Sequence, residues 1–150
     1  MGSIRDLLSY RIHKLAGAMS RGAAARYRAE FGVTLMEWRA LALLGDGTAL
    51  SLQELARHAA LDKSQISRVV SALTARGLVK RGVSKADARA ARISLTPAGA
   101  RIRAGLLRSA AARDTAFAAI LTEQEQRVLD RVIRKLTEEA RRQSEPETWA

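Results

Sequence analysis

The sequence predicts a mainly α-helical fold with one small β-hairpin. Apolar residues recur at helical spacing through most of the chain. Two short helices follow one another across a turn of about three residues. Directly after them come two β-branched runs, "LVKRGV" and "RISLT", on either side of the polar tip "SKADARAA".

Each element has a local cause. From Ile4 to Ala29 the residues Leu8, Ile12, Leu15 and Met19 fall on one helical face, and Phe31-Gly32 closes the helix. Thr34 is suited to N-cap a second helix bearing Met36, Trp38, Leu41 and Leu44, which Gly45 and Gly47 end. Ser51 with Glu54 forms a capping box for a third helix striped by Leu52, Leu55, Ala56 and Ala59. Asp62 with Gln65 forms another for the fourth, whose apolar face is Ile66, Val69, Val70 and Leu73 and whose stop is Arg76-Gly77. After the hairpin, Thr96-Pro97 starts a fifth helix expected to run to Leu121 with Ile102, Leu106, Leu107, Phe117 and Ile120. Thr122 and Glu125 cap the sixth, striped by Val128, Leu129, Val132, Ile133 and Leu136; the tail "RRQSEPETWA" is expected to fray.

At 150 residues and 47% hydrophobic content the chain has the size and apolar share of one folding unit. It holds no run of ~18 apolar residues to cross a membrane and no apolar leader core, so a cytoplasmic home is expected. Met1-Gly2-Ser3 is like the start of a myristoylation signal, but Asp6 stands where that signal needs Ser or Thr. With no cysteine there is no disulfide, thiolate nucleophile or thiol switch, and the two histidines, His13 and His58, make no metal-spaced cluster. No nucleophile stands beside a base and no glycine loop cradles phosphate, so neither an enzyme nor a cofactor is expected.

The charge points elsewhere. Of a net +11, residues 57–103 carry 11 Lys/Arg against 2 Asp/Glu, whereas residues 104–150 carry 8 against 8. Such concentration suits a polyanion-binding surface. Helix, tight turn, helix and basic hairpin make the plan of a winged helix-turn-helix, in which the second helix enters the major groove of DNA and the wing reaches the flanking backbone or minor groove. On that second helix the small Ser64, Ser67 and Ser71 permit close approach. Gln65 and Arg68 have the reach to meet base edges, Lys63 and Arg76 can neutralise phosphates, and Lys85 adds charge at the hairpin tip.

The strings "LDKSQISRVVSALTARGLVKR" and "DARAARISLTPAG", with Asp87-Ala88-Arg89 ahead of Leu95-Thr96 and Gly99, resemble the winged helix-turn-helix of the multiple antibiotic resistance regulator (MarR) family. The likeness spans nearly the whole chain. It implies a single domain over 1–150, with a winged lobe at about 34–96 and dimerisation helices at about 4–30 and 97–143. It further implies a homodimeric regulator, commonly a repressor, on double-stranded DNA bearing a palindromic operator. Ser64, Gln65, Ser67 and Arg68 match the family's DNA-facing positions, and Arg89 matches the wing arginine that enters the minor groove. Asp87 braces the wing in this reading, with Arg81 or Arg89 as its partner. The family often places a second basic residue before the wing arginine; Ala88 stands there instead. The long, apolar-striped first and last helices support self-association independently, since each would expose an unsatisfied face alone.

Members of this family typically respond to a small aromatic or lipophilic acid, a carboxylate or phenol, held between the DNA-binding lobe and the dimer helices. Tyr10, His13, Trp38 and Arg39 are the candidates for that effector, and no metal site is expected. Two other readings fit part of the sequence: a non-specific architectural DNA binder, and a ligand-binding relative that has lost DNA binding.

Overall fold

A computed structural model describes residues 2–45, 47, 49–83 and 91–144. Its elements in chain order are a 3-10 turn at Ile4–Asp6, α1 (Leu8–Phe31), α2 (Leu35–Leu43), α3 (Leu52–Ala59), α4 (Lys63–Ala75), β1 (Val79–Val83), β2 (Ala91–Leu95), α5 (Pro97–Ala118) and α6 (Glu123–Gln143). The fold is mainly α with a two-stranded wing, as expected. The chain packs as two units, Met1–Ala110 and Ala111–Ala150.

Reciprocal caps set most helix starts. Thr34 with Glu37, Ser51 with Glu54, Asp62 with Gln65 and Thr122 with Glu125 each satisfy two backbone N–H groups that the first turn leaves without partners. A further box, Ser3 with Asp6, corrects the expected start of the first helix. It closes a separate turn at Ile4–Asp6, the chain is extended at Leu7, and α1 begins only at Leu8. Likewise α5 stops at Ala118 instead of Leu121, and the Gln126 side-chain amide donates to the carbonyls of Ala118 (3.0 Å) and Leu121 (3.2 Å) at that end.

Within residues 1–110 the core gathers Val33, Leu41, Leu44, Leu55, Ile66, Val70, Leu73, Ile93 and Leu106, all fully buried. The apolar face predicted for α4 is wholly inside. Between α3 and α4 the chain turns at Ala60, which adopts the left-handed conformation (φ 53°), while Leu61 N–H reaches back to the Ala56 carbonyl at 3.0 Å. An alanine thus performs there the task that usually falls to glycine.

The wing pairs Val79 with Leu95, Arg81 with Ile93 and Val83 with Ala91 in antiparallel register. Leu50, before α3, adds a single bridge to Ile93 through mutual N–H to carbonyl bonds of 3.0 and 2.8 Å. Where β2 passes into α5, Thr96 makes the junction. Its backbone N–H donates to Leu78 O (3.1 Å), its hydroxyl donates to Gly77 O (2.6 Å), and the same hydroxyl accepts from Gly99 N–H (3.1 Å). The end of α4, the root of the wing and the first turn of α5 are joined at this one residue. Further along α5, Gly105 lets the Phe31 ring lie against the helix, and Ser109 donates to Glu30 at 3.2 Å.

The contrast between two glycines tests this joint. A Cβ at Gly99 would stand 1.9 Å from Leu78 O, whereas one at Gly82 would meet nothing within 4 Å. Gly99→Ala is therefore expected to cost about 3 kcal/mol or to prevent folding. Gly82→Ala should change stability by less than ~0.5 kcal/mol, both read by urea unfolding.

Candidate nucleic-acid interface

The surface of α4 opposite the core carries Ser64, Arg68, Ser71 and Ala75 at spacings of 4, 3 and 4, one continuous helical stripe. Ser64, Arg68 and Ser71 are exposed, Lys63 is exposed beside them, and Ser67 is half-buried at the edge. Neither Lys63 nor Arg68 forms a salt bridge among the described residues. The stripe is low in profile apart from one guanidinium, a shape that allows a helix to lie deep in a groove.

At the N-terminus of α4 the predicted contacts are already engaged. Asp62 accepts from the Gln65 N–H and from the Ser64 hydroxyl, both at 2.8 Å, and its own N–H donates to the Gln65 side-chain oxygen at 3.1 Å. The Gln65 N–H foremost, then the Ser64 hydroxyl and, least, the Arg68 charge hold the Asp62 carboxyl below its ordinary value of 3.8. Arg76, at the other end of α4, is drawn to Glu37 (3.3 Å), whose second oxygen caps α2 through Thr34 N–H at 2.7 Å. Only part of the Arg76 charge is thus turned to solvent.

Glu54 works in the same way for the wing. One of its oxygens accepts both Ser51 N–H (2.7 Å) and the Arg92 guanidinium (2.6 Å), so a single carboxylate caps α3 and grips β2. The bonds from Ser51, then the charges of Arg92 and Arg57, hold its carboxyl below the usual 4.5. These two bridges were not foreseen. Thr34-x-x-Glu37 repeats the capping-box pattern and could have been read, but Arg92 lies 38 positions from Glu54 and nothing local announces the pair. Lys85, Asp87 and Arg89 lie outside the described residues; Arg81 is exposed on β1.

Of the four effector candidates, Tyr10 and His13 lie on α1 and Trp38 and Arg39 on α2. Tyr10 is half-buried in an open hollow of about 420 Å³ lined with Arg5, Arg11 and Lys14, while His13 is exposed on α1. Trp38 packs edge-on against the buried Tyr27 ring, with centroids 5.6 Å apart, and Arg39 is exposed on α2. Among the described residues no group of three or more His, Asp or Glu is placed to hold a metal ion, and no helix is long and apolar enough to cross a membrane.

A family model described as the MarR family matches residues 31–90. The chain is 30% identical over 129 residues to the HTH-type transcriptional repressor Mb2911 of Mycobacterium bovis, covering 86% of this chain and 92% of that protein. The fold is that of S. aureus MepR in its crystal structure with DNA, at TM-score 0.81 and 18% identity over 92% of this chain and 99% of that one. The PcaV transcriptional regulator of Streptomyces coelicolor, solved with its natural ligand, is 25% identical at TM-score 0.72, over 93% and 99% of the two chains.

The capping carboxylates give the lobe a pH signature. A carboxyl whose folded value lies below its unfolded one contributes stability that is complete above the unfolded value and is lost as pH falls through the folded one. Urea unfolding between pH 6 and pH 3 should show stability declining below about pH 4.5, where Glu54 and Asp62 begin to protonate in the unfolded chain. Glu54→Gln, which keeps a capping oxygen but has no charge to lose, should flatten that decline; an unchanged slope would remove Glu54 from the cause.

Proposed function

Because this chain belongs to the MarR family and is a DNA-binding transcriptional regulator, not an enzyme, we propose that it is a sequence-specific repressor acting as a homodimer on an inverted-repeat operator. The observation that carries the reading is the outward stripe of α4, where Arg68 rises from small residues and Lys63 flanks it, neither spent on a salt bridge among the described residues. In a helix-turn-helix the N-terminal part of the second helix meets base edges, and α4 offers its polar residues there. The MepR crystal structure with DNA has the same fold.

The homodimer is supported by what remains uncovered. On α1, Leu8, Ile12 and Leu15 are 54, 45 and 60% exposed, and on α6 Val128, Leu129, Val132 and Ile133 are 40 to 53% exposed. Apolar stripes of this length on long helices call for a partner surface. Two-fold symmetry would then set half-sites about one helical turn, roughly 10 bp, apart. Release by a small aromatic or lipophilic acid is the effector reading. Its support is the hollow at Tyr10, where an aromatic ring stands among three cations, and the ligand-bound PcaV relative.

An operator selected from random duplexes should be preferred over unrelated DNA at the same salt by at least ~10³-fold; a ratio near one would mark a non-specific architectural binder. Arg68→Ala should weaken operator binding and relax preference at one base pair, while Lys63→Ala should weaken all sequences alike and reduce the salt slope by ~1. Equal losses on operator and random DNA for Arg68→Ala would remove its base-reading role.

A further inference from the structure

Gln65 has the length to reach a base, yet its carbonyl oxygen is committed. The group facing it at 3.1 Å is the Asp62 backbone N–H, a donor, so the amide must present its oxygen there and turn its NH2 away. That NH2 has no hydrogen-bond partner among the described residues. The two-pronged contact by which a glutamine reads adenine needs its oxygen and its nitrogen at the base together. With the oxygen turned back to the helix end, only the donor is left.

Ser64 is committed in the opposite sense. Its hydroxyl lies 2.8 Å from Asp62 Oδ1, and a carboxylate oxygen can only accept, so the Ser64 proton is spent and its lone pairs remain. We propose that the Asp62 capping network sets the hydrogen-bond polarity of the first turn of α4, leaving Gln65 a donor and Ser64 an acceptor toward DNA. The inference rests on the reading of α4 as the helix that enters the major groove. Guanine, with two adjacent acceptors, is then favoured by Gln65, and cytosine, which presents an amino donor, is rejected. Ser64 suits the amino groups of cytosine or adenine. Asp62 touches no base in this scheme; it is a positioning residue that acts through its two neighbours.

Glutamate at position 65 separates cap from contact, because it is an equally good capping-box residue and carries no donor. Wild type, Gln65→Glu and Gln65→Ala are each used to select from a duplex library with randomised half-sites, and affinities are compared at one salt concentration. The base pair read by position 65 is the one whose preference disappears in Gln65→Ala. There, wild type should select guanine. Gln65→Glu should keep the wild-type unfolding midpoint and move the preference to cytosine by about 10-fold. The added charge lowers affinity for every sequence, so the ratio between sequences is what counts. Selection of adenine by wild type at that base pair, an unaltered preference in Gln65→Glu, or no base pair affected by Gln65→Ala would each overturn the proposal. If wild type enriches no sequence at all, the DNA-reading role of α4 fails as a whole and the proposal falls with it.

Discussion

The contact on which the rest of the winged lobe depends is the approach of Gly99 to the carbonyl of Leu78. No side chain fits between them, since a methyl carbon on Gly99 would stand 1.9 Å from that oxygen. The closeness is what lets one threonine hydroxyl serve two backbones at once, donating to Gly77 at the end of α4 and accepting from Gly99 in the first turn of α5. The same Leu78 carbonyl accepts the Thr96 N–H. Helix α4, the wing and α5 therefore leave one point in fixed directions, with the first turn of α5 and the end of α4 in direct backbone contact.

Two carboxylates extend that rigidity outward. Glu37 caps α2 and holds Arg76 at the C-terminal end of α4, and Glu54 caps α3 and holds Arg92 on β2. Each spends a charge that the helix start already requires, so the bridges add orientation with little further desolvation. The Glu54–Arg92 pair is partly exposed and worth little to overall stability, whereas the carboxylate of Glu37 is buried. What the bridges contribute is direction: β2 and the C-terminal end of α4 are both tied to helices of the core.

Much of this was legible because capping is local. Ser51 with Glu54, Asp62 with Gln65 and Thr122 with Glu125 stand three residues apart, and each forms the reciprocal pair that the spacing implies. The buried face of α4 followed from periodicity alone. Long-range chemistry was not legible. The ring of Trp38, an effector candidate, lies edge-on to Tyr27, a partner 11 positions away that no helical spacing announces. The Asp62–Gln65 cap is legible from its spacing, but not its consequence that the Gln65 oxygen and the Ser64 proton are both engaged at the helix start. Ala60 shows the limit for turns: its left-handed backbone is imposed by the packing of α3 on α4 in a residue whose identity gives no sign of it.

Amide hydrogen exchange in the native state tests the central joint most directly. If Thr96, Gly99 and Leu78 form one anchor, their amides will open only with the core of the lobe, with protection within about tenfold of that at Ile66 and Val70 in α4. Exchange at Thr96 and Gly99 many orders of magnitude faster than in α4 would show the start of α5 detaching by itself, and would contradict a single origin for α4 and the wing.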